Sequence, residues 1–185
     1  MELIPTPLAG AIVIEPRVFG DERGFFFESW NASAFEAAGL PTSFVQDNHS
    51  RSQKGVLRGM HFQQPGAQGK LVRVVAGAVW DAIVDLRRSS PTFGQWYGLE
   101  LSAKNKRMLW VPQGFAHGFL ALADGTEFLY KCTSLYAPEH EHCLAWDDPA
   151  VGIDWPLDRL DGIAPQLSAK DQAGLSLSDV PTFDI

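Results

Sequence analysis

The sequence has few cysteines, no long apolar stretch and no basic leader segment. Cys132 and Cys143 are the only cysteines among 185 residues, so we expect no disulfide framework. No apolar run approaches the roughly 18 residues that a membrane-spanning helix needs. The first five residues, Met1 to Pro5, place no basic group ahead of an apolar stretch, so we expect no signal peptide. These absences predict a soluble, cytoplasmic protein without a membrane partner.

Positive charge is also scarce, and it is unevenly distributed. A net charge of −7 argues against a nucleic-acid partner. Residues 51–107 nevertheless hold 10 of the 15 basic residues and only three acidic ones. Either the positive electrostatic potential of this segment attracts a small anion, or its basic residues are solvated side chains in turns. Arg58, Lys70 and Arg73 favour the first interpretation, because they lie near strand-like runs. The residues that favour the second are Arg87, Arg88, Lys104, Lys106 and Arg107.

The hydrophobic pattern predicts one all-β domain over residues 1–185. Hydrophobic residues make up 45% of the chain, which is typical of a globular protein with a substantial core. Short apolar and β-branched runs, separated by Gly, Pro, Asn and Asp, predict an antiparallel sandwich or barrel. These runs are 11–14, 43–46, 70–76, 78–86, 95–101, 107–111, 115–122 and 126–136. Gly77, between two of them, predicts a tight turn or bulge.

Regular structure outside the strands is expected to be sparse. One short helix is predicted over residues 32–38, with Asn31 as its N-cap and Gly39 as its stop signal. The segment after Trp155 contains Pro156, Pro165 and Pro181 and is expected to be irregular.

Two of the five histidines raise the question of a metal site. The pattern Pro112-x-Gly114-x-x-His117 resembles the second half of the cupin signature. The matching first half would offer a His-x-His pair, but residues 57–62 (LRGMHF) contain only His61. A cupin metal site needs three or four converging ligands, so we expect no metal and no other cofactor. A metal-dependent cupin enzyme remains the alternative.

The neighbours of His61 suggest a chemical role for it. A histidine between Arg58 and Lys70 has its protonated form disfavoured, which suits a general base near neutral pH. The alternative is a buried histidine with only a structural role. Strict alternation along a strand places Arg58 and His61 on opposite faces, so both reach one pocket only if Gly59 lies at a bulge or bend.

Tyr130 is the candidate proton donor. Alternation along residues 126–132 places Phe128, Tyr130 and Cys132 on one face of a strand, and it likewise pairs His117 with Phe119. The alternative is a core tyrosine whose hydroxyl lies at the rim of the hydrophobic core.

Eight segments in order resemble the dTDP-4-dehydrorhamnose 3,5-epimerase family, between about residues 12 and 172. They are 19–29 (FGDERGFFFES), 44–50 (FVQDNHS), 56–63 (VLRGMHFQ), 68–73 (QGKLVR), 90–96 (SPTFGQW), 112–119 (PQGFAHGF), 127–131 (EFLYK) and 167–171 (LSAKD). Each segment is weak alone, and the eight in order make a strong match. Met60 stands where the family usually has Leu, a change that conserves volume.

The resemblance implies a jelly-roll cupin that acts as a homodimer without metal. It also implies conversion of dTDP-4-dehydro-6-deoxy-D-glucose to dTDP-4-dehydro-L-rhamnose. By the same resemblance His61 is the base, Asp171 its partner and Tyr130 the acid, while Lys70 lies near the C4 oxygen. The implied substrate contacts are Arg23, Phe25, Glu28, Gln46, Asn48, Arg58, His117, Phe119, Tyr136, Glu141 and Lys170.

Several alternatives stay open at this point. Some members of the family invert only one carbon, and related cupins move the ketone between C3 and C4 of dTDP-sugars. A sugar-binding module without catalysis is a different class, which predicts no exchange of the sugar hydrogens. The residues do not distinguish single from double inversion. They also do not distinguish primary rhamnose synthesis from an antibiotic sugar pathway.

Overall fold

Antiparallel pairing organises thirteen strands into two sheets and one small hairpin. The structure is a computed structural model that describes residues 1–185. The strands are β1 Glu2–Pro5, β2 Ile12–Glu15, β3 Phe19–Asp21, β4 Gly24–Phe26, β5 Gln46–Ser52, β6 Leu57–Gln63, β7 Lys70–Ala76, β8 Ala78–Asp85, β9 Trp96–Ser102, β10 Met108–Val111, β11 Phe115–Ala121, β12 Thr126–Cys132 and β13 Glu141–Cys143. The helices are α1 Ala32–Ala37 and α2 Ala169–Gln172, with 3-10 turns at Pro138–His140 and Leu157–Leu160. Both helices are far too short to span a lipid bilayer.

The strand order confirms the expected jelly-roll architecture. Six strands form one sheet in the order β1-β2-β10-β7-β12-β5, and five form the other in the order β13-β6-β11-β8-β9. The hairpin β3-β4 stands apart from both sheets. Non-consecutive neighbours such as β10 and β7 show that the chain crosses between the sheets instead of running as a simple meander.

One hydrophobic core lies between the two sheets. Val72 and Val74 of the six-stranded sheet belong to the same buried cluster as Val79 and Ile83 of the five-stranded sheet. Val72 and Val74 are two positions apart on β7, and Val79 and Ile83 are four apart on β8, so each pair points to one face of its strand. Phe119 and Phe128 stack across this core with ring centroids 4.3 Å apart.

The outer faces are covered by the less regular parts of the chain. On the six-stranded sheet, Phe35 of α1 packs with Leu71 and Met108. On the five-stranded sheet, C-terminal residues including Trp155 and Phe183 pack over its outer side chains. The irregular C-terminal segment predicted from sequence is therefore the cover of one sheet.

The predicted helix and turn are confirmed in detail. The Asn31 side chain accepts a hydrogen bond from the Ala34 N–H, and Gly39 ends the helix with a φ of +68°. Gly77 turns between β7 and β8 with a φ of +71°, where an added Cβ would lie 2.4 Å from Thr126 Oγ1.

Some strand predictions are wrong. The run 43–46 is not a strand except at Gln46, where β5 begins, because the strand uses the polar residues that follow. The run 126–136 ends as a strand at Cys132. The pattern also missed β1, the β3-β4 hairpin and β13, which are all short, and the seven-residue strand β6, which is not among the predicted runs.

Arg87 is not a solvated turn residue. Asp85 is fully buried at the end of β8, and it accepts hydrogen bonds of 2.8 Å from Arg87 Nε and Nη2. Ser90 and Thr92 donate their hydroxyls to the same carboxylate at 2.6 and 2.7 Å. Burial opposes the charge, but these donors together lower the pKa of Asp85 to about 2.

Candidate active site

A cavity of about 350 Å³ opens between the two sheets. This volume is within the range of small-molecule binding sites. Its walls come from β5, β6, β7, β11, β12 and β13. The lining residues are Gln46, Asn48, Ser50, Arg58, His61, Phe62, Gln63, Gln68, Lys70, His117, Gly118, Phe119, Phe128, Tyr130, Tyr136 and Glu141. Ten of the fifteen residues proposed from the sequence are therefore brought together here.

A bulge in β6 places Arg58 and His61 on the same cavity wall. His61 pairs with His117 and Arg58 with Phe119, so two β6 residues lie opposite the single residue between them on β11. Gly59 occupies this bulge with a φ of +127°, and an added Cβ would lie 2.5 Å from the Gly118 Cα. The bend that the sequence required at Gly59 is present.

His61 is held from behind by Asp171. The His61 Nε2 donates to Asp171 Oδ1 at 2.5 Å, and Ser168 Oγ donates to the other carboxylate oxygen at 2.8 Å. Burial works against the charge of Asp171, but the hydrogen bond and charge of His61 lower its pKa overall. In the neutral imidazole, a donating Nε2 leaves the lone pair on Nδ1. The carboxylate thus fixes the tautomer that a base requires.

Tyr130 reaches the cavity from the opposite sheet. It lies on β12 of the six-stranded sheet, whereas His61 lies on β6 of the five-stranded sheet. Burial raises the pKa of the Tyr130 phenol, and nearby Glu141 acts in the same direction. The phenol therefore keeps its proton at neutral pH and is available as a donor.

Lys70 forms the buried cationic end of the cavity. It is the first residue of β7 and is 8% exposed. Burial lowers the pKa of its ammonium, while the charges of Glu141 and Asp81 oppose that shift. No carboxylate lies within ion-pair distance of its Nζ, so a ligand oxygen could take that place.

A second His–Asp pair was missed by the sequence analysis. His117 Nε2 donates to both carboxylate oxygens of Asp81 at 2.9 and 3.1 Å, and Asp81 is fully buried. Burial raises the pKa of Asp81, while the charge of His117 opposes that rise. The available signal was Asp81, an acid inside the apolar run 78–86 and on the same face as Val79 and Ile83.

Three polar side chains are linked at the cavity mouth. The Tyr136 hydroxyl donates to Glu141 Oε2 at 2.6 Å, and Lys170 forms an ion pair with the same carboxylate. The Glu141 carboxylate raises the pKa of Tyr136 to about 12. Gln46 accepts from the Tyr136 backbone N–H at 2.8 Å. Lys170 thus contacts a lining residue without lining the cavity itself.

Arg23, Phe25 and Glu28 lie outside the cavity of their own chain. Arg23 and Phe25 belong to the β3-β4 hairpin region, where Arg23 pairs with Asp21 at 2.5 Å. Glu28 accepts from the Asn31 side chain at 3.1 Å.

Other lining residues were not proposed from the sequence. They are Ser50, Phe62, Gln63, Gln68, Gly118 and Phe128. Ser50 follows Gln46 and Asn48 at strand alternation, so a correct assignment of β5 would have found it.

One group of side chains could hold a metal ion. Ligand atoms of His61, Cys143 and Asp171 all lie within 4.8 Å of one another. His117 does not belong to this group, and its Nε2 is hydrogen-bonded to Asp81.

Comparison with known proteins gives consistent matches over nearly the whole chain. Residues 5–179 match the family model for dTDP-4-dehydrorhamnose 3,5-epimerase. The Pseudomonas aeruginosa protein named dTDP-4-dehydrorhamnose 3,5-epimerase is 61% identical over 173 residues, covering 93% of each chain.

Solved structures agree with these matches. The Legionella pneumophila dTDP-6-deoxy-D-glucose-3,5-epimerase in complex with dTDP-4-keto-L-rhamnose superposes with a TM-score of 0.92 at 51% identity, covering 97% of this chain and 94% of that one. A 3′-monoepimerase from Streptomyces bikiniensis in complex with dTDP-quinovose superposes with a TM-score of 0.87 at 36% identity, covering 94% and 87%.

Proposed function

The chain belongs to the dTDP-4-dehydrorhamnose 3,5-epimerase family, and we propose that it converts dTDP-4-dehydro-6-deoxy-D-glucose to dTDP-4-dehydro-L-rhamnose by inverting C3 and C5. One observation carries the proposed mechanism: a candidate base and a candidate acid face one cavity from opposite sheets. Inversion at carbon needs proton removal from one side and delivery to the other, and His61 and Tyr130 supply this arrangement.

His61 removes the proton in this scheme. The hydrogens at C3 and C5 are both adjacent to the C4 ketone, so removing either one gives an enolate. The lone pair on Nδ1 accepts the proton, and the Asp171 carboxylate at 2.5 Å stabilises the imidazolium that forms. Asp171 acts through His61 and is therefore a positioning residue.

Lys70 stabilises the enolate. Negative charge develops on the C4 oxygen as the proton leaves. An ammonium beside that oxygen therefore stabilises the transition state more than the ground state. Burial of Lys70 and the absence of a carboxylate partner support this role.

Tyr130 returns a proton from the other wall. Its phenol carries a proton at neutral pH, as tyrosine ordinarily does, and burial raises its pKa further. Delivery to the face opposite His61 gives the inverted carbon, and the sugar then presents its second reactive carbon to the same pair.

Arg58 binds the diphosphate. Its Nε donates to Ser52 Oγ at 3.1 Å, which orients the guanidinium at the cavity wall and leaves other N–H groups for phosphate oxygens. Gln46, Asn48, His117, Phe119, Tyr136 and Glu141 complete the substrate contacts, with Lys170 acting through Glu141.

We also propose that the protein is a homodimer in which the β3-β4 hairpin completes the partner's site. Phe25 and Phe26 are 63% and 66% exposed, which is costly for a monomer and is relieved if a second copy covers them. This would bring Arg23, Phe25 and Glu28 to the neighbouring cavity, since they lie outside their own.

The dimer is tested by mixing two inactive variants. An Arg23→Ala subunit and a His61→Ala subunit, each weak alone, recover activity after reassembly, because each heterodimer holds one intact composite site. Absence of recovery, with heterodimers verified by mass spectrometry, would assign Arg23 to its own subunit or to no site.

The reaction is tested by NMR of dTDP-4-dehydro-6-deoxy-D-glucose in D₂O. The wild-type protein is expected to exchange deuterium into both C3 and C5 and to form the L-rhamno product. His61→Asn should lower the exchange by about 10²–10⁴-fold while the fold stays intact. Exchange at one carbon alone would instead indicate a single-position epimerase, and absence of exchange at both would indicate a binding protein.

A further inference from the structure

We propose that His61, Cys143 and Asp171 form an inhibitory Zn²⁺ site that removes the base from the reaction. The inhibitory part rests on the proposed role of His61 as base, whereas binding itself does not. The metal here is a ligand that stops turnover, and it takes no part in the reaction.

Strand pairing fixes two of the three donors side by side. Cys143 on β13 is the register partner of His61 on β6. Asp171 on α2 reaches the same imidazole, with its Oδ1 2.5 Å from Nε2. All three ligand atoms lie within 4.8 Å of one another, whereas donors at 2.0–2.3 Å around a tetrahedral Zn²⁺ are separated by roughly 3.3–3.8 Å. Small side-chain shifts therefore suffice to close the site.

The donor set suits zinc. A thiolate, an imidazole and a carboxylate are the three ligand types that bind Zn²⁺ in proteins, and hard cations such as Mg²⁺ do not favour the thiolate. The His61 side chain is 27% exposed and lines the cavity, so an ion can reach the imidazole from the cavity. Ser168 Oγ holds the second oxygen of Asp171 at 2.8 Å, which orients the carboxylate.

Without metal, the Cys143 thiol makes only weak interactions. Its Sγ lies 3.5 Å from the Gly59 carbonyl oxygen and 3.6 Å from that of Leu144. Burial raises the pKa of this thiol to about 12, so it is protonated at neutral pH. Coordination to zinc forms a Zn–S bond and releases the thiol proton to solvent.

Zinc would inhibit by changing the tautomer of His61. A metal between the imidazole and Asp171 takes the Nε2 lone pair, so the Nε2 proton moves to Nδ1. The nitrogen that accepts a proton in the reaction then carries one already. The base is lost although the cavity and its substrate contacts stay in place.

Cd²⁺ provides a direct readout, because cadmium–thiolate bonds absorb in the ultraviolet and no substrate is needed. We expect one equivalent of Cd²⁺ to produce this absorption in the metal-stripped wild-type protein. Cys143→Ala should abolish the absorption and lower Zn²⁺ affinity by at least about 100-fold. Loss of a residue that only hydrogen-bonds to a metal ligand already lowers metal affinity by roughly 10–100-fold. Cys132→Ala, which changes the only other thiol, should retain the absorption.

Inhibition is measured separately, by deuterium exchange of the substrate with increasing Zn²⁺. Zinc should inhibit the wild-type protein, and Cys143→Ala should exchange at a similar rate without zinc but resist it. A thiolate band that survives in Cys143→Ala, no binding by the wild-type protein, or zinc binding without inhibition would each overturn the proposal. If Cd²⁺ binds through Cys143 but no substrate exchange is ever seen, the proposed function fails while the metal site stands.

Discussion

Gly59 is the residue on which the geometry of the cavity depends most. It lies at the β6 bulge that turns Arg58 and His61 to one wall, with a φ of +127°. We predict that Gly59→Ala destabilises the protein and disrupts activity beyond the loss of stability. A side chain at this φ costs about 1–3 kcal/mol of strain. The new Cβ would also meet the Gly118 Cα at 2.5 Å and the His117 carbonyl oxygen at 2.9 Å.

The backbone strain and the steric clash of Gly59→Ala together lower Tm by a measurable amount. Overpacking against backbone that cannot move freely adds about 1–3 kcal/mol. For a chain of this size each kcal/mol lowers Tm by roughly 2–4 °C, so the variant should melt roughly 5–20 °C below wild type. Relief of the clash requires β6 to move relative to β11, and a displacement of about 1 Å at reacting groups costs on the order of 10²-fold in rate.

Gly162 provides the matched control. It has a φ of +83° and no heavy atom within 4 Å of an added Cβ, so Gly162→Ala introduces backbone strain without a clash. We expect a small loss of Tm and normal kcat/KM for Gly162→Ala, measured by calorimetry and by the D₂O assay at a temperature where all proteins are folded. If Gly59→Ala matches Gly162→Ala in both measurements, the bulge does not position His61 and the reasoning is refuted.

Three further predictions concern substrate binding, acid stability and metal. Arg58→Lys keeps the charge but loses the bidentate fork, so steady-state kinetics should show KM raised more than kcat is lowered; the reverse pattern would place Arg58 at the enolate. Asp85 has a folded pKa of about 2, below its ordinary value of 3.8, so it stabilises the fold above pH 4 and loses this contribution as pH falls toward 2. Asp85→Asn should therefore cost about 2 kcal/mol at pH 7 and less at pH 2 in denaturant titrations, and an equal cost at both would contradict the shift. Prolonged EDTA treatment should not lower the exchange rate, and a loss restored by one metal would oppose the proposed chemistry.

The sequence predicted those strands of the barrel whose side chains are mostly apolar and buried. β7, β8 and β11 are rich in apolar side chains that pack on both faces, so their residues form recognisable runs. β5 was missed because its residues, QDNHSRS, present polar groups to the cavity on one face and to the surface on the other. Apolar patterning cannot detect a strand whose residues are polar on both faces.

The site shows a similar division. The bend at Gly59 could be anticipated from the sequence, because the alternation of side chains along one strand is enough to require it. The Asp81–His117 pair joins residues 36 positions apart on neighbouring strands and depends on register, which local sequence does not contain. Asp171 was assigned to His61 only through family resemblance, since nothing local links residues 110 positions apart.

The motif SPTFG, residues 90–94, carries family resemblance but lies outside the cavity. It marks the family, but the structure gives it a role away from the cavity. Ser90 and Thr92 donate their hydroxyls to the buried carboxylate of Asp85 and so fold the turn after β8. A recurring motif therefore identified the fold here without identifying a site residue.

The most direct test of the two-walled mechanism compares hydrogen exchange with inversion in Tyr130→Phe. The substitution removes only the hydroxyl and keeps the ring that packs beside Phe128, so the cavity should be preserved. NMR in D₂O reports both quantities in one sample. The mechanism predicts that deuterium still enters the substrate through His61 while formation of the inverted product falls sharply. Equal loss of exchange and inversion would contradict it and would make Tyr130 a positioning residue.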